Sequence, residues 1–141
     1  MSFEPGEYTP VRVVEVGLVD DGREGMMVLV ALSDTQLRLE MRAFSGEVAT
    51  HIGRFSQGDR SSLPTIYNVV EDIADRNGLH LARVHVYGSS TALRGDISFE
   101  GRDERIVLHG YRASDCVALA VLYDAPILVQ STLLAREVSG T

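Results

Sequence analysis

The sequence predicts an α+β domain, and three observations carry that expectation. The spacing of apolar residues changes along the chain from period two to a helical period and back again. Strand-like runs come in clusters of three instead of alternating with helices, which separates α+β from α/β. The chain has 141 residues, of which 45% are apolar and 23% charged, as expected of one globular domain with a single core.

Residues 1–10, with Pro5, Gly6 and Pro10, read as a loose N-terminal leader, and residues 11–141 as one domain. Val11 to Val19 is rich in valine and reads as a strand, ended by the turn-rich "DDGREG". Met26 to Leu32 is the second strand. In the third, Leu37, Leu39 and Met41 alternate with Arg38, Glu40 and Arg42, the pattern of a strand with one wet face. Val48, Ala49, Ile52 and Phe55 then fall at helical spacing, with Ser45 placed as the N-cap. The clearest helix follows "SQGDRSS". Ile66, Val69, Val70, Ile73 and Ala74 form one apolar stripe, Pro64 lies in the first turn, and Gly78 is a left-handed stop.

A second strand cluster covers Leu81 to Tyr87, Ala92 to Glu100 and Arg105 to Tyr111. A helix after Ser114, a short strand at Pro126 to Gln130 and a last helical turn or two near Leu133 to Val138 complete the chain. The expected order is βββααβββαβα, as two antiparallel three-stranded β groups with helices packed on them. Three strands then helix, stated twice, suggests an internal structural duplication, although no residue-level repeat accompanies it.

The net charge of −7 argues against tight, sequence-independent nucleic-acid binding, because no window carries a basic patch. Arg38 to Arg42 and Arg102 to Arg105 are interleaved with acidic residues. Transient engagement of nucleic acid by an acidic, metal-loading site is compatible with this balance. No apolar run reaches the roughly 18 to 20 residues that span a bilayer, so no membrane partner is expected. The start of the chain has neither a basic segment nor an apolar signal core, and the lone Cys116 excludes an internal disulfide; a cytoplasmic location is expected.

Few residues suggest chemistry. In "RASDCVALAVLY", Ser114 reads as an N-cap and Asp115 as a favourable first-turn acid, which accounts for both without function. Arg112 is not explained by capping; a guanidinium there pairs with a carboxylate or binds phosphate. Cys116 reads as core packing. Glu47 and His51, spaced i, i+4, share a helix face and form either a surface hydrogen bond or an acid–base pair. His85 and His109 are placed on one wet sheet face near Asp96 or Glu100, as solvated histidines more readily than as metal ligands. No Walker A loop, dinucleotide fingerprint, Cys-x-x-Cys pair or nucleophile elbow is present.

"RASDCVALAVLYDAPILV" resembles the signature of the bifunctional nuclease domain family, in which Arg-Pro-Ser-Asp-Ala opens an apolar helix and Gly-Ala-Pro-Ile follows it. Arg112, Ser114, Asp115, Leu119, Ala120, Ala125, Pro126, Ile127 and Val129 match in register. Fainter similarity runs from about Val11 to Val138 and puts Glu47 on a family glutamate. Departures are Ala43-Phe44 for Ile-Gly, Ser62-Leu63-Pro64 for Thr-His-Asp, Ala113 for the signature proline and Asp124 for a glycine. The resemblance implies an α+β fold, homo-oligomerisation (a homodimer is expected) and nuclease activity on RNA and DNA. On this reading Glu47, Arg112 and Asp115 are the catalytic candidates, and Glu47 and Asp115 the ligands for Mg²⁺ or Mn²⁺. The alternative is a non-catalytic oligomeric interaction or ligand-binding module that keeps the fold and has lost the Leu63-Pro64 His-Asp pair.

Overall fold

Three valine- and leucine-rich segments pair in sequence order: β1 (Tyr8–Val19), β2 (Glu24–Ala31) and β3 (Leu37–Ser45) form an antiparallel meander. A second meander consists of β4 (His80–Ser89), β5 (Ala92–Glu100) and β6 (Arg105–Arg112). These elements come from a computed structural model in which residues 7–137 are described. The short β7 (Ile127–Gln130) lies between the meanders, parallel to β4 and antiparallel to β1, and joins them into a single sheet. With β8 (Ala135–Arg136) the sheet has eight strands in the order β6-β5-β4-β7-β1-β2-β3-β8. The α+β class and the two three-stranded groups stand as expected.

Helix α3 (Ala113–Tyr123) fills the centre. Eight of its eleven residues are buried, on all sides, because β4 and β5 cover one face and α1 (Gly46–Ser56) another. Gly95 of β5 permits the approach: a Cβ there would lie 2.6 Å from Cys116 Sγ. Ser45 caps α1 as expected, its hydroxyl accepting from the Glu47 N–H at 3.2 Å. Asp124 ends α3 in the left-handed region at φ 59°, where the family glycine would sit, a conformation that Asp tolerates.

Five expectations need correction. Tyr8 to Pro10 do not belong to a loose leader: Tyr8 to Val11 pair with Gln130 to Ile127, and residues 1–6 lie outside the described residues. The last helical turns are a 3-10 turn (Ser131–Leu133) followed by β8 on the edge of β3, with Arg136 bonded to Asp34 at 3.1 Å; Val138 lies outside the described residues. Ser114 is not the N-cap of α3. That position falls to Arg112, and Ser114 is buried in the first turn.

The fourth concerns α2 (Ile66–Arg76), whose N-cap is Thr65 in a capping box with Asn68, so Pro64 precedes the helix. The helix turns a different face inward. Tyr67, Val70 and Ala74 face the core, whereas Ile66, Val69 and Ile73 are 69%, 48% and 58% exposed. Both sets follow i, i+3, i+7 spacing, so periodicity alone could not choose between them.

His85 is not on a wet face. It is only 2% exposed, with its ring edge-on to Tyr8 at 4.9 Å between centroids. Burial, with the charge of Arg83, lowers its pKa to about 4, below the ordinary histidine value. Between pH 6.5 and about 4 the unfolded chain therefore takes up a proton that the folded site refuses, and stability falls as pH drops through that window. The urea midpoint should fall from pH 7 to pH 5, and His85→Gln should lose less over the same interval; equal losses would remove His85 from the account. Its strand partner Asp96 is fully buried and accepts from Tyr87 Oη (2.7 Å), Gly110 N (3.1 Å) and His109 Nδ1 (2.8 Å). Burial alone raises the Asp96 pKa, but these hydrogen bonds outweigh it and hold the carboxyl below its usual value.

Candidate active site

The starts of α1 and α3 open into one cleft of about 1020 Å³, closed on its outer side by α2 and the loop before it. Glu47 stands in the first turn of α1, and its exposed carboxylate lines the cleft. Arg112, the last residue of β6, and Asp115, in the first turn of α3, line it too. The three residues singled out from the sequence thus share one concavity.

Arg112 Nε donates to Asp115 Oδ2 at 2.9 Å, and the buried Tyr67 hydroxyl donates to Asp115 Oδ1 at 2.5 Å. Burial and the bond to Asp115 push the Tyr67 pKa far up, so the phenol remains a donor. The Arg112 pKa is raised by the same carboxylate. Asp115 therefore holds a guanidinium that projects into the cleft and is itself fixed by Tyr67. Tyr67 was missed in the sequence because it lies off the stripe read as the core face. Its signal was the Thr65-x-x-Asn68 box, which fixes the helix start, and a second stripe of Tyr67, Val70 and Ala74.

His51 sits beneath Glu47, with Nε2 3.5 Å from Oε1. Its Nδ1 faces the Arg54 guanidinium at 3.0 Å, and a guanidinium only donates. The neutral ring must therefore carry its proton on Nε2, facing Glu47. His51 steers Glu47 and is not placed to accept a proton from water. Arg54 also donates to the Leu63 carbonyl at 3.1 Å, tying the loop before α2 to α1. Leu63 and Pro64, in place of the family His-Asp pair, contribute apolar wall to the same cleft.

Cys116 is buried, and burial pushes its thiol up to about 12, which suits core packing and not nucleophilic attack. His85 and His109 lie away from this cleft. Among the described residues no group of three or more His, Cys, Asp and Glu is arranged to hold a metal ion.

Two helix starts, a positioned arginine and two carboxylates thus share one cleft of an α+β domain. Residues 43–139 match the bifunctional nuclease domain, and the chain belongs to the bifunctional nuclease domain family. The matched segment contains Glu47, Arg112 and Asp115. No curated protein matches the chain. No helix among the described residues is long and apolar enough to cross a membrane.

Proposed function

We propose that the chain is a metal-assisted nuclease that hydrolyses phosphodiester bonds of RNA and DNA in the cleft between α1 and α3. The observation that carries the reading is that Glu47 and the Arg112–Asp115 pair, distant in sequence, line one cleft at two helix starts. Arg112 binds a non-bridging phosphate oxygen with its terminal guanidinium nitrogens, since Nε is spent on Asp115. Asp115 and Tyr67 keep that side chain in place before substrate arrives, the preorganisation that makes charge stabilisation effective.

The donor set suits a hard, water-rich cation. Glu47 offers an exposed carboxylate, and each Asp115 oxygen keeps a lone pair beyond its one hydrogen bond. Glu47 and Asp115 would hold Mg²⁺ or Mn²⁺, which when bound supplies charge neutralisation at the phosphate and a more acidic water. Fluorescent single-stranded RNA, single-stranded DNA and duplex DNA, each with Mg²⁺ or Mn²⁺ and with chelator, test the proposal. Turnover should require the metal and fall at least about a hundredfold in Glu47→Gln and Asp115→Asn. Turnover that both variants retain at the wild-type rate would sink this site.

We further propose a homodimer in a cytoplasmic setting, the latter supported by the free, buried thiol of Cys116. Ile66, Val69 and Ile73 form an exposed apolar stripe on α2, and Ile66 and Val69 line the same cleft as Leu108 and Tyr111 of the edge strand β6; an exposed apolar stripe and an open strand edge are usual marks of an interface. Sedimentation velocity should give a dimer mass for the wild type and a monomer mass for the Ile66→Glu, Ile73→Glu double variant. A wild-type monomer at tens of micromolar would contradict it.

A further inference from the structure

A second groove of about 700 Å³ continues from the cleft, sharing Arg112 and Ser45 with it. Three arginines line it, each from a different strand: Arg42 of β3, Arg94 of β5 and Arg112 at the end of β6. The sequence concealed this cluster because the three lie far apart along the chain. It forms where the start of α3 separates β3 from the β4–β5 hairpin.

The charges in this groove are unequally balanced. Arg42 is paired with Glu40 at 2.5 Å, and Arg112 with Asp115 at 2.9 Å. Arg94 stands directly opposite Arg112 in the β5–β6 ladder, and among the described residues no carboxylate pairs with it. Like charges opposed across a ladder destabilise a sheet unless a counter-charge lies between them. The start of α3, whose N-cap Arg112 makes no side-chain capping bond, adds the positive end of a helix dipole to the groove. A chain of net charge −7 thus lines one groove with three guanidinium groups, of which Arg94 lacks a paired carboxylate among the described residues.

We infer that this groove holds the phosphates next to the scissile one, so that a nucleic-acid strand runs from the cleft across Arg112 to Arg94 and Arg42. The inference rests on the nuclease reading for the identity of its ligand. It explains how an acidic protein holds a polyanion without a basic sequence window. Arg94 is the decisive residue, because removing Arg42 also releases Glu40.

Fluorescence anisotropy with a labelled single strand of about twelve nucleotides, in chelator so that nothing turns over, measures the groove directly. Across a salt series, Arg94→Ala should weaken binding severalfold and flatten the slope of log affinity against log salt by about 0.7, the loss of one phosphate contact. Arg42→Ala should act in the same direction, and Arg76→Ala, on exposed α2, should change nothing. A wild type that does not bind, or an Arg94→Ala variant that keeps the wild-type affinity and slope, overturns the groove. Displacement of the oligonucleotide by inorganic phosphate at equal phosphate concentration would also overturn it, as a site for free anions only.

Cleavage in Mg²⁺ separates the two proposals. Binding that depends on Arg94 with no wild-type cleavage would retire the nuclease and leave the groove. Cleavage with binding indifferent to Arg94 and Arg42 would retire the groove and leave the nuclease.

Discussion

Replacing Arg112 with alanine is expected to lower kcat/KM for phosphodiester cleavage by about two to three orders of magnitude, the usual effect of losing one preorganised charge-stabilising donor. Arg112 is largely exposed, so its removal should leave the fold intact while Asp115 keeps its bond to Tyr67. Arg112→Lys should recover little, because an ammonium has no fork with which to hold Asp115 and a phosphate together. Tyr67→Phe provides a graded counterpart. It removes only the hydroxyl that fixes Asp115, so kcat should fall by less, with the melting temperature changed only modestly. Steady-state kinetics with one oligonucleotide across the three variants measures the series. An Arg112→Ala enzyme of wild-type efficiency would remove the phosphate-binding role.

The second large effect concerns stability. A Cβ on Gly46 would stand 2.2 Å from the Gly22 carbonyl oxygen and 3.1 Å from Leu18 Cδ2. The first of these is backbone, in a 3-10 turn to which Gly46 is itself bound, its N–H donating to the Arg23 carbonyl at 3.1 Å. The clash cannot be relieved by a change of rotamer. Gly46→Ala should therefore cost about 3 kcal/mol, the upper end of ordinary overpacking, and lower the melting temperature by roughly 10 °C. Since Glu47 follows directly, activity should fall as well.

Gly53 of the same helix is the control. A Cβ there meets only Val16 Cγ1 at 3.7 Å, an ordinary contact. Gly53→Ala should stabilise by up to about 1 kcal/mol through helix propensity. Chemical denaturation of the two variants should give opposite signs. Equal effects would mean that α1 does not dock on the β1–β2 turn as described.

The fold was legible wherever one physical signal dominated. Alternation in Leu37 to Arg42, the run Ala92 to Glu100 and the Ser45 cap each had one good solution, and the structure adopts it. Legibility failed where two solutions had the same period. The α2 sequence carries two apolar stripes, and the choice fell on Tyr67, whose hydroxyl finds Asp115 and whose ring packs edge-on to Phe55 at 6.3 Å between centroids. The joining of the two meanders through β7 was not readable, because four residues cannot announce their neighbours.

The site divides in the same way. Arg112 and Asp115 were visible as a motif, and Glu47 through the family resemblance. Tyr67, the tautomer of His51 and the convergence of Arg42 with Arg94 depend on tertiary placement. Charge pattern in a linear window could not reveal a groove assembled from three strands.

A phosphodiester bound in the cleft at Arg112 should register in ¹H–¹⁵N spectra of the Glu47→Gln protein titrated with a short oligonucleotide. Saturable shifts are expected of the Arg112 Nε–H signal and of the backbone N–H groups of Val48 and Asp115. Saturable binding that leaves these three signals unmoved while perturbing residues elsewhere would contradict it.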